Sequence, residues 1–216
     1  ANQGYAVTIN SSTFDAADDT DFLNTGTVIL GNGTNDVLTF AGGLATTGNA
    51  SNPGTVNAAG TIKTTNTAMD IGAVTLTAAT TFDTVGAHAN ADMSIGAVTS
   101  GGNALTLDTG STAGATMTLG SMAVLSGGLT ITDAGGAASI GAIGGTTGGD
   151  VTITDSSAGV TFTGRVNAAT LTITDTTDDQ VIEFANGGDV DITTSFDTAN
   201  QGYAVTINSS TFDAAD

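Results

Sequence analysis

Residues 128–175 read GLTITDAGGAASIGAIGGTTGGDVTITDSSAGVTFTGRVNAATLTITD. One kind of run returns three times, as GLTITD (128–133), DVTITD (150–155) and TLTITD (170–175). Successive side chains of a strand point to opposite faces, so Leu129 and Ile131 share one face while Thr130 and Thr132 share the other. The segments between the runs are rich in Gly, Ala, Ser and Asn, which is turn chemistry. The closing aspartates, Asp133, Asp155 and Asp175, are 22 and 20 residues apart. A strand that returns every ~20–25 residues is the mark of a solenoid, whereas helical repeats need ~33–47 residues and propeller blades ~40. A β-sandwich, whose turn signals fall every ~8–12 residues, is the alternative.

Working outward, two series carry the period along the chain. One passes through apolar-Gly-small motifs such as IGAV and IGAI, at Ile71, Ile95, Leu119 and Ile140, and continues to Phe162, Phe184 and Ile207. The other runs through strand-ending aspartates: Asp83, Asp108, Asp133, Asp155, Asp175, Asp197 and Asp213, the last equivalent to Asp15. That equivalence is literal. Residues 1–18 and 199–216 are both ANQGYAVTINSSTFDAAD, a shift of 198 residues. Both series close on that shift after nine turns, which predicts an all-β, parallel β-solenoid of about nine coils of about 22 residues. The expected organisation is one repeat over 1–198, with 199–216 as the start of the next, continuous with it.

Composition agrees with this class. The 216 residues include 31 Gly, one Pro, no Cys and no Trp. Thr and Val suit pleated strands, and Asp and Gly suit turns, so helices are not expected. Hydrophobic residues make up 39% of the chain, enough for a core, and aromatics only 5%, so that core is slim. Lys63 and Arg165 oppose 21 acids, of which Glu183 alone is Glu, for a net charge of −19. Such a charge argues against nucleic acid and anionic membranes as partners. No apolar run approaches the ~18 residues of a membrane helix.

Chemistry-bearing motifs are few. His88, the one His, lies in VGAHANAD with no Cys near it, and no nucleophile elbow or phosphate loop is present, so no enzyme is expected. GNGTNDVL (31–38) is a degenerate match to a calcium-binding nonapeptide, read as an Asx-type turn around Asp36. The recurring aspartates would stack ~5 Å apart at one corner. Each either accepts the N–H groups of its own turn or shares a calcium ion with its neighbours. The candidate calcium ligands are Asp15, Asp18, Asp19, Asp21, Asp83, Asp108, Asp133, Asp155, Asp175, Asp178, Asp179, Asp197 and Asp213, with the dense clusters at 15–21 and 175–179. Thr130/Thr132, Thr152/Thr154 and Thr172/Thr174 look like the TxT rows of ice-binding solenoids. They are expected to last three coils before Asp191 interrupts them.

The Thr-alternating strands, the IGAV turns and the Gly/Asn/Asp corners resemble repeat regions of large bacterial surface exoproteins, the filamentous-haemagglutinin-like and autotransporter-like adhesins. The resemblance implies a right-handed parallel β-helix in an extracellular or cell-surface stalk. No cofactor is required beyond possible calcium, and the partner is the chain itself, joined end to end. The alternative function is a calcium-dependent adhesive module that uses the aspartate corner.

Overall fold

In the computed structural model, which describes residues 3–84, 87–185 and 187–214, every strand pairing is parallel and joins one coil to the next. The chain winds as a right-handed β-helix with three faces. Val7–Ile9, Thr13–Ala16 and Thr20–Asp21 begin the first, second and third faces, and Thr27–Leu30 returns to the first face directly over Val7–Ile9. The alternation read from the sequence sets the core. Along the second face Leu105, Leu107, Leu129, Ile131, Val151, Ile153, Leu171 and Ile173 point inward and are buried, each on its counterpart in the next coil. A coil cannot cover its own apolar face, so stability resides in these contacts between neighbours.

The first series lies where the spacing placed it. Ile71, Ile95, Leu119, Ile140, Phe162, Phe184 and Ile207 form one register column on the third face. Its glycines explain the motif. The IGAV turns are the corner between the third and first faces, where successive backbones touch. A Cβ on Gly141 would fall 1.4 Å from the Gly120 carbonyl oxygen, and one on Gly120 would fall 2.9 Å from the Gly96 carbonyl carbon. Only glycine allows coils to stack that closely at a sharp corner.

The count of nine coils requires correction. Ile9 pairs with Leu30 on the first face, whereas its copy Ile207 pairs with Phe184 on the third. Following the pairings, Val7–Ile9 and Ala204–Ile207 are separated by 26 strand positions, three to a turn, so 198 residues make eight and two-thirds turns. The physical reason is that AVTIN specifies only an inward and an outward side. Nothing in period-two alternation encodes which of three similar faces receives it.

Candidate functional site

The aspartate column stands at the end of the second face, where the chain turns toward the third. Asp83 pairs with Asp108 and Asp108 with Asp133. The register slips between Leu107 and Asp108 because Thr132 is an extra residue in the upper strand. This bulge is why ALTLD becomes GLTITD without moving its aspartate out of line. The bridge between Ala134 and Ser156 carries the column on to Asp155, and the pairing of Ile153 with Ile173 carries it to Asp175. Below Asp83 the same column holds Lys63, Thr39 and Asp15. Lys63 thus places one of the chain's two long cations directly under the carboxylate stack.

Two predicted members lie elsewhere. Asp197 pairs with Thr172, because the register shifts between Ala168 and Thr170 where the upper strand, Asp189–Thr198, has one more residue. Asp213 lies on the first face opposite Asp191. Asp18, Asp19 and Asp21 belong to the first coil. Asp19 and Asp21 border an open cleft of about 470 Å³ with Asp70 and His88. Asp178 and Asp179 sit in the turn after the column, where Asp179 has a left-handed φ of 68° and its N–H donates to the Gly202 carbonyl.

Local hydrogen bonds account for several of these carboxylates. Asp108 Oδ1 accepts the Gly110 N–H at 2.8 Å, and Asp175 Oδ1 accepts the Thr176 N–H at 2.8 Å. Asp36 closes its own loop by accepting the N–H groups of Asn32 and Gly33 at 2.8 and 3.0 Å; these donors precede it in the chain, so the loop is not the expected Asx-type turn, which uses an N–H two residues further on. Asp133 differs. Its Oδ1 is buried without a hydrogen-bond partner. Partial burial, with the charges of Asp155 and Asp108, pushes its pKa up to about 6. Calcium takes about 6–8 oxygen ligands, and among the described residues no three carboxylate or imidazole side chains converge closely enough to hold a metal ion.

Sequence reading missed a second use of acids. Asp92 Oδ1 accepts both the N–H and the hydroxyl of Thr116, at 2.7 and 2.6 Å. Asp150 and Asp189 accept the Thr170 and Thr211 hydroxyls at 2.6 and 2.9 Å. Each clasp joins one coil to the next. The only signal in the sequence is an acid and a Thr about one turn apart, which is invisible until the register is known.

The threonine row is longer than expected. Thr61, Thr81, Thr106, Thr130, Thr152 and Thr172 stack in register along the outer side of the second face. The row ends at Asp197. Asp191, the expected interruption, is on the first face opposite Asn167.

The two ends are the remaining surface. Among the described residues, the partly buried hydrophobic side chains packed against the core are Val7, Ile9, Phe14, Ala16, Phe196, Tyr203, Val205 and Ala214. All belong to the first or last coil. Tyr5, Leu23, Ile207 and Phe212, also in these coils, are exposed at 57%, 54%, 43% and 38%.

These features define the chain as a parallel β-solenoid with a continuous buried core and an acidic composition. Compared with protein-family models, curated proteins and solved structures, the chain matches none.

Proposed function

We propose that the protein is a structural unit of an extracellular fibre or stalk, of the filamentous-haemagglutinin-like or autotransporter-like kind, in which β-solenoid repeats continue end to end. The observation that carries this reading is the return of residues 1–18 at 199–216 within one parallel stack. The second copy pairs onto the coil below it as the solenoid's other strands do, so the repeat continues along the axis. A parallel strand offers a further strand hydrogen-bonding groups on its other side. The lateral surface is suited to the opposite task. With a net charge of −19 and threonines along the second face, neighbouring rods repel side to side while continuing end to end. The function is mechanical: a stiff rod holds whatever it carries away from the surface that anchors it.

The competing reading is a calcium-dependent adhesive module. The partnerless Oδ1 of Asp133, between Asp108 and Asp155, is the one observation in its favour. Electron microscopy of the purified protein in chelator separates the two. The fibre reading expects long filaments of uniform width without calcium. Short particles that assemble only when calcium is added would overturn it.

A further inference from the structure

We propose that the open edge of Ala204–Ile207 and Thr211–Ala214 is the seat of a second copy of this repeat, which docks through its Thr27–Leu30 and Val37–Phe40. This deepens the fibre reading and rests on it. The inference comes from one sequence seen in two environments. In the first copy of ANQGYAVTINSSTFDAAD, Val7 pairs with Val28, Ile9 with Leu30, Phe14 with Leu38 and Ala16 with Phe40. In the second copy, Val205, Ile207, Phe212 and Ala214 are the same residues in the same order. Among the described residues they pair with the preceding coil, with Ile182, Phe184, Val190 and Ile192. A parallel strand presents hydrogen-bonding groups to both neighbours. The free side of the second copy therefore offers what the first copy already offers to Thr27–Leu30 and Val37–Phe40. An incoming copy would cover Ile207 and Phe212, now 43% and 38% exposed.

Within one covalent array the incoming segment simply follows in the chain. Between separate chains it arrives by strand exchange, in which the incoming chain releases its own residues 1–18 and regains the same contacts from its neighbour. Both routes give the same geometry. The copies are 26 strand positions apart, one short of nine full turns. Each successive copy is therefore turned one face, a third of a turn, against the winding of the solenoid. At ~4.8 Å per coil each copy rises about 42 Å, and the original orientation returns after three copies, about 125 Å. Simple flush stacking of intact chains differs. It would put Val7–Ile9 over the second-face end of Asp189–Thr198, 28 positions on, for a third of a turn with the winding and a rise of about 45 Å.

The test is helical reconstruction, by electron cryomicroscopy at strand resolution, of filaments grown from the 216-residue chain. The expected result is a rise near 42 Å with a third of a turn against the winding. A rise near 45 Å with the opposite rotation would overturn the proposal and leave the fibre reading standing. A chain that stays monomeric at all concentrations would overturn exchange between separate chains, and native material whose intact mass is also near 20.9 kDa would overturn the fibre reading with it. Sedimentation of two variants adds an independent arm, with circular dichroism to confirm folding. Phe212→Asp should weaken assembly at least about tenfold, while Phe14→Asp should assemble as well as the parent, because exchange releases Phe14. Equal loss in both variants would indicate flush stacking and sink the exchange. An intact mass several times 20.9 kDa in native filaments would identify the covalent route.

Discussion

Replacing Asp133 with Asn removes the central charge of the carboxylate column while keeping its shape. Asp133 stands in register with Asp108 and within electrostatic reach of Asp155. Two like charges ~4.8 Å apart repel by about 0.9 kcal/mol in bulk water, so two such neighbours contribute about 1.7 kcal/mol before screening. At physiological salt, with a Debye length of ~8 Å, roughly half survives. The side chain is only partly buried, so its total contribution is held to about 1 kcal/mol. The sign follows from the raised pKa of about 6. The folded chain binds this proton more tightly than the unfolded chain, whose Asp titrates near ~3.9. The stabilisation is therefore complete below about pH 4 and lost as pH rises through about 6. At neutral pH the ionised group is a liability that Asn removes. The variant should melt ~2–4 °C above the parent near neutral pH, and the gain should vanish near about pH 4. Thermal denaturation of both proteins across this range, followed by circular dichroism, reads the difference directly and cancels the titration of the other 20 acids. A variant that melts lower at neutral pH, or by the same amount at every pH, would refute the reasoning.

Three further outcomes are expected. Gly141→Ala, whose Cβ would strike the Gly120 carbonyl, should cost about 1–3 kcal/mol or more by urea denaturation, while Gly4→Ala, with nothing within 4 Å, should be neutral. Phe184→Ala removes a ring stacked on Phe162 at 5.1 Å and 7° and edge-on to Phe196 and Phe212. It should cost about 3–5 kcal/mol, and hydrogen exchange should quicken most in the coils next to residue 184. If the column works without calcium, chelator should leave the melting temperature unchanged. A rise of several degrees on adding calcium, absent in Asp133→Asn, would instead support the adhesive module.

The column of Ile71 through Ile207 was legible because an inward apolar residue followed by a tight glycine corner leaves a mark in every coil. Asp108 and Asp133 were legible for a similar reason, since the bulge at Thr132 preserves the aspartate at the end of the strand. Asp197 was misplaced because a one-residue slip between Ala168 and Thr170 changes a side chain's partner without changing the strand's appearance. Lys63 under Asp83, and the clasps from Asp92, Asp150 and Asp189, depend on pairings between residues about a turn apart. No single strand carries that information. The coil count failed for the most general reason. A repeated sequence fixes the distance along the chain, while the number of turns in that distance depends on every corner between.

That difference bears on how the proposed fibre would be built. Had 198 residues made nine full turns, each repeat would face as the one before it, and a column such as Asp83 through Asp175 would recur on one side of the filament. A shortfall of one strand position turns the second copy by a face, so ANQGYAVTINSSTFDAAD serves the first and second faces at one end and the third and first at the other. The two copies show the two sides of one strand: Val7 and Ile9 meet Val28 and Leu30 on the following coil, while Val205 and Ile207 meet Ile182 and Phe184 on the preceding one. In a continuous filament the carboxylate columns of successive repeats would then be distributed among the three faces. Like charges that share one edge within a repeat would be separated between repeats, which lowers the repulsion along any one edge and leaves no side of the rod distinguished for binding.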